Sequence, residues 1–126
     1  MKIRIKGNSL RYRLTKSDIG NLAKHGRVEE HTSFGEKTLT YALQSKVGGT
    51  LSAIFENNEI TVFVDKEMVK EWVSTERIGF EYDNNGLFIL LEKDFTCLDN
   101  VAEDQSDNYP NPLANAGDIT ENEFVS

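Results

Sequence analysis

The stretches KIRIK (2–6) and LRYRL (10–14) alternate strictly. Ile3, Ile5, Leu10, Tyr12 and Leu14 fall on one parity, and Lys2, Arg4, Lys6, Arg11 and Arg13 on the other. Period two over such lengths predicts strands with one buried face. Gly7-Asn8 between them suits a two-residue turn, which sets Ile5 opposite Leu10 and Ile3 opposite Tyr12. The period then changes: Ile19, Leu22 and Ala23 stand at i, i+3, i+4, the spacing of a short amphipathic helix. Thr15 is its N-cap candidate, with Asp18 completing a weakened capping box, and Gly26 stands where a helix end wants positive φ. Residues 28–34 and 37–43 then read as a second hairpin.

A shift of fifty positions brings the same pattern into register again, with Leu10 over Ile60. Asn57-Asn58 closes a hairpin that sets Phe55 opposite Ile60 and Ala53 opposite Val62. Asp65 replaces Thr15 as the cap, and Val69, Trp72 and Val73 repeat the helical stripe, making Leu22 and Trp72 equivalent core positions. Residues 78–83 and 87–91 flank Asn85-Gly86, the strongest type I′ turn signal in the chain. Each half therefore reads ββαββ. The expected class is α+β: a duplicated ββαββ unit giving about eight mostly antiparallel strands, as one curved sheet or a barrel of pseudo-twofold symmetry, with two short helices. The competing reading is two unrelated stretches that share a common pattern.

Composition changes this picture at the C-terminal end. All 14 Lys and Arg lie at or before Lys93, whereas seven of the 21 Asp and Glu lie beyond Asp94, so residues 1–94 are balanced and the net charge of -7 belongs to residues 95–126. Residues 1–94 are expected to form one domain, 95–112 an acidic segment pinned to it, and 113–126 a flexible acidic tail whose composition cannot offset its ordering entropy. The overall acidity disfavours a nucleic-acid partner. A mean hydropathy of -0.48 and the absence of a long apolar run argue against membrane insertion. The single cysteine, Cys97, rules out an internal disulfide framework and suits a reducing cytoplasm.

The first hairpin differs from its repeat in its polar face. Lys2, Arg4, Lys6, Arg11 and Arg13 share one side, with Arg4 opposite Arg11 and Lys2 opposite Arg13, an arrangement destabilised by like charges across strands. The matching positions of the second half, among them Ser52, Ile54, Glu56, Glu59, Thr61 and Phe63, are not basic. These five cations, with His31 on the polar parity of the next hairpin, are the candidate anion-binding residues. Forked guanidiniums and ammonium groups suit a carboxylate or phosphate. Internal pairing with Glu29, Glu56, Glu59, Glu81, Glu92 or the acidic tail is the alternative.

Motifs for chemistry are absent from the sequence. There is no dinucleotide fingerprint, P-loop, HExxH or CxxC, and His25 and His31 are the only histidines. No catalytic residue, cofactor or metal ligand is assigned. Cys97 reads as a small buried hydrophobe ending the last strand. Asp99, Glu103, Asp104 and Asp107 lack EF-hand spacing and read as a solvated acidic loop, which Tyr109, kept extended by Pro110, docks by its ring.

The opening MKIRIKGNSLRYRLTKSD, the middle FGEKTLTYAL and the ending LEKDFTCLDN with EDQSDNYPNP resemble a family of small uncharacterised bacterial proteins, over residues 1–112. That resemblance implies no activity, cofactor or catalytic residue. A looser architectural similarity is to triphosphate tunnel enzymes, whose first strand places two glutamates and a lysine at alternating positions, where this chain has Lys2, Arg4 and Lys6. The reading preferred from sequence is a non-enzymatic module whose basic face holds an anionic small molecule or an acidic protein segment. The alternatives are a metal-assisted phosphohydrolase of tunnel-like architecture and a structural protein that forms a homodimer.

Overall fold

The structure, a computed structural model, describes residues 1–95 and 106–111. The expectations for Cys97, for Asp99, Glu103 and Asp104, and for the tail 113–126 fall outside the described residues. Along the chain the elements are β1 (Lys2–Lys6), β2 (Ser9–Leu14), α1 (Lys16–His25), β3 (Arg27–Ser33), β4 (Thr38–Lys46), β5 (Ser52–Glu56), β6 (Glu59–Asp65), α2 (Lys66–Ser74), β7 (Gly79–Asn84) and β8 (Leu87–Lys93). The class is α+β, with strand, strand, helix, strand, strand occurring twice.

All four expected hairpins form, and the first and third close in the expected register, with Arg4 opposite Arg11, Ile5 opposite Leu10 and Phe55 opposite Ile60. Their turns use the backbone freedom that the sequence signals: Asn57 and Asn58 have φ of 52° and 61°, and Asn85 and Gly86 have 52° and 94°. The arrangement of the hairpins departs from expectation. The strands form neither one curved sheet nor a closed barrel. They form two separate four-stranded sheets, ordered β1-β2-β8-β7 and β3-β4-β6-β5. Each sheet takes one hairpin from each half of the chain, joined along a central parallel pair, β2 with β8 or β4 with β6. The physical reason lies in the helices. Each comes after the second strand of a hairpin and carries the chain away to the other sheet, so the two hairpins of one half never become neighbours.

The core lies between the sheets and the helices. Leu10, Tyr12, Leu14, Leu43, Ile60, Val62, Val64, Ile89 and Leu91 come from strands, and Ile19, Leu22, Val69 and Trp72 from helices. Tyr12 connects the sheets directly: its ring meets that of Tyr41 edge-on at 6.2 Å, and its hydroxyl donates to the Ile60 carbonyl at 3.4 Å. Burial pushes the Tyr12 hydroxyl pKa well up. Trp72 donates its ring N–H to the Ile78 carbonyl at 3.1 Å and packs edge-on against Phe80. Ala23 and Val73, read from sequence as part of the apolar stripe, are instead exposed, Val73 by 48%. Two helices of ten and nine residues bury only the narrow rows Ile19–Leu22 and Val69–Trp72.

Local chemistry sets the helix ends. Thr15 Oγ1 accepts from the Asp18 N–H while Asp18 accepts from the Thr15 N–H, a reciprocal capping box, and Gly26 ends α1 at φ 81°. Residues 106–111 lie against this helix start. The Asp107 carboxylate accepts from the Ser17 N–H at 3.2 Å and the Ser17 hydroxyl at 3.1 Å, and the Lys16 N–H donates to the Asp107 carbonyl. Tyr109 donates its N–H to the Asp94 carbonyl, meets the Phe95 ring edge-on at 6.1 Å and lies 4.9 Å from the Lys93 ammonium.

Gly79 and Asp107 each make the packing testable. A β-carbon on Gly79 would run into the Leu91 carbonyl oxygen and stand 2.9 Å from the Glu92 Cα, both backbone atoms of the paired strand. Gly79→Ala should therefore lower stability by roughly 3 kcal/mol, as severe overpacking does. Denaturant unfolding measures it, and a change under about 0.5 kcal/mol, the range of neutral surface substitutions, would contradict the packing. At Asp107, hydrogen bonds from the side chains of Thr15 and Ser17, helped by the Lys16 charge, hold the carboxyl below the usual aspartate range. Because the folded pKa is the lower one, the stabilisation is complete above the ordinary value of 3.8 and is lost as pH falls through the folded pKa. The difference in Tm between wild type and Asp107→Asn should be constant near neutrality and shrink on acidification below that value. A difference that grows towards acid would refute it.

Candidate anion-binding site

The parallel seam between β2 and β8 lays out the outer face of the first sheet as three rows. One runs Lys2–Arg13–Glu92–Gly79, the next Arg4–Arg11–Leu90–Glu81, and the third Lys6–Ser9–Phe88–Asp83. Cations therefore occupy the β1 and β2 side of the face and carboxylates the β7 and β8 side. The first row neutralises itself: Arg13 Nε lies 2.9 Å from Glu92 Oε1, and Lys2 Nζ lies 3.3 Å from the buried Asp94 carboxylate.

The other two rows do not. In the middle row Leu90 stands between Arg11 and Glu81, and no ion pair joins the two among the described residues. Arg11 leans instead towards Glu92, reaching it at 3.6 Å, but Arg13 already holds the same oxygen. One Arg11 nitrogen, Nη1, is buried with no hydrogen-bond partner among the described residues. Arg4 and Lys6 are exposed and make no ion pair among the described residues. Arg4, Lys6, Ser9, Leu10, Arg11, Phe88 and Leu90 surround a hollow of about 250 Å³. It has cations on one wall, and Phe88 and Leu90 make up much of the other.

Of the residues singled out from sequence, Arg4, Lys6 and Arg11 converge on this hollow, whereas Lys2 and Arg13 stand beside it in ion pairs. His31 lies on the second sheet, with Nε2 2.9 Å from Glu29 and Nδ1 2.8 Å from the Thr40 hydroxyl. Ser9, Phe88 and Leu90 had no signal of their own, because their place in the hollow depends on a pairing between strands about eighty residues apart.

The outer face of the second sheet is built on the same register and closed. Its rows run Ser52–Phe63–Gln44–Arg27, Ile54–Thr61–Ala42–Glu29 and Glu56–Glu59–Thr40–His31. Arg27 reaches diagonally across them: Nε lies 2.8 Å from Glu29, Nη1 2.8 Å from Gln44 and Nη2 3.1 Å from Glu59. Ala42 and Thr61, in the row between Arg27 and Glu59, are 0% and 3% exposed. The hydrogen bond from Arg27 holds the Glu29 carboxyl below the usual range. Level with Arg27 and Glu59 in the rows of the first sheet stand Gly79 and Ser9, neither of which carries a charge.

Among the described residues no group of three or more His, Cys, Asp or Glu side chains is placed to hold a metal ion. No helix among them is long and apolar enough to cross a membrane. Comparison with curated proteins found no match, and comparison with solved structures likewise found none. A family model matches residues 1–113, and the chain belongs to that family of unknown function, DUF7009.

Proposed function

We propose that this protein is a non-enzymatic binding module that holds an organic anion in the hollow formed by Arg4, Lys6 and Arg11. The observation that carries the reading is the state of Arg11. Its nearest carboxylate is shared with Arg13, its Nη1 is buried without a partner among the described residues, and Arg4 lies directly across the strand pair. An unsatisfied buried donor costs about 1–3 kcal/mol, and the facing like charges add some tenths. A bound carboxylate or phosphate offsets both. Phe88 and Leu90 favour a ligand with an apolar body over a bare inorganic ion, because a small ion leaves their surface in water.

The closed second face supports this reading. Position for position, the two faces suit a duplicated ββαββ unit in which Thr61, Ile54 and Ala42 correspond to Arg11, Arg4 and Leu90. On that reading one copy keeps an internal arginine bridge. The other has Gly79 in place of Arg27, no bridge, and a row of cations.

A thermal-shift panel of phosphate, polyphosphate, dicarboxylates and aromatic carboxylates tests the site against wild type, Arg4→Gln and Arg11→Gln. A ligand at a hundred times its Kd contributes about 2.7 kcal/mol. For a domain of this size that raises Tm by roughly 10 °C. The expected result is a rise with an aromatic carboxylate that is lost in both variants and weakened by salt. No rise with any carboxylate of the panel, or a rise with the aromatic carboxylate that is equal in the variants, would overturn the site.

A further inference from the structure

A larger hollow, about 400 Å³, opens where the end of α1, the end of β4 and the start of α2 meet. Leu22 and Val69 form part of its lining, and Lys24, Lys46, Lys66 and Lys70 with His25 surround them. Four of the chain's nine lysines thus gather at one place, from three elements, with no arginine among them. Of the local carboxylates, one caps a helix and one pairs with a single lysine of the group. Asp65 caps α2, accepting from the Glu67 N–H and from the Gly48 N–H at 3.0 Å, and Glu67 lies 3.5 Å from Lys70. Lys46 contacts the Ser52 hydroxyl at 3.4 Å and the Phe63 ring. Lys24 and Lys66 make no ion pair among the described residues.

Helix electrostatics accounts for only part of this. Lys24 and His25 lie in the last turn of α1, where cations are favoured. Lys66, the first residue of α2, stands at the positive end of a helix, where a cation is disfavoured, and Lys70 comes one turn later. A bound anion reverses that sign.

We propose that this hollow is a second binding site, specific for a small molecule carrying a multiply charged phosphate group, a phosphate ester or a polyphosphate. Ammonium groups are compact point charges on flexible stems. Several of them around one centre suit a multiply charged phosphate, whereas the guanidinium forks of the first sheet favour planar, bidentate recognition. The two sites therefore divide anions by geometry. The site stands independently of the Arg11 hollow.

The test is titration of the full chain with pyrophosphate at fixed ionic strength, monitored by calorimetry and by backbone amide shifts. Saturable binding is expected, with shifts at Gly26, Val47 and Lys66. The double variant Lys24→Gln, Lys66→Gln should weaken it by at least about tenfold, the loss of a charge-assisted contact. Arg11→Gln and the distant Lys37→Gln should leave it unchanged, and circular dichroism confirms that each variant is folded. Absence of binding, loss in Arg11→Gln, equal weakening by Lys37→Gln, or full retention in the double variant each overturns the proposal. If the double variant does not fold, Lys66→Gln alone is titrated, and an unchanged affinity there also overturns it.

Discussion

β2 lies parallel to β8 with Arg11 level with Leu90 and Arg13 level with Glu92, and this one pairing decides which cations of the first hairpin find a carboxylate. Were β8 displaced by two residues, Glu92 would face Arg11 and the middle row would close on itself. As built, a single carboxylate serves two guanidiniums and a leucine stands where the third partner would be. The same seam aligns Phe88 with Ser9, which makes the hollow half apolar. Cross-strand charge repulsion in β1 and β2 is local, but its relief is governed by a contact between the two ends of the domain.

Legibility from sequence tracked the range of the interactions involved. The hairpins depend on turn residues and on alternation within a dozen positions, so Gly7-Asn8, Asn57-Asn58 and Asn85-Gly86 located the pairings they control. Helix starts depend on Thr15 and Asp65, again local signals. The partition into two sheets depends on seams between β2 and β8 and between β4 and β6, for which no residue carries a signature. Alternation in LRYRL states that one side is buried, not what lies beside it. The basic parity of Lys2, Arg4, Lys6, Arg11 and Arg13 was therefore readable, while their division into paired and available cations was not. His31 shows the same limit: it shares the polar parity, yet its hairpin belongs to the other sheet.

The contrast between the outer faces comes down to two positions. Arg27 is long enough to cross a strand and reach Glu59, joining Glu29 and Glu59 across a row in which Ala42 and Thr61 are buried. Gly79 has no side chain, and the close approach of the Leu91 carbonyl excludes one. A glycine required by backbone packing on β7 thus removes the position from which a bridging side chain could enter the row as Arg27 does. Ser9, level with Glu59 in the row pattern, offers no carboxylate either. The cations of β1 and β2 therefore face Phe88 and Leu90 across the hollow, with no arginine bridge over it like that of the second sheet.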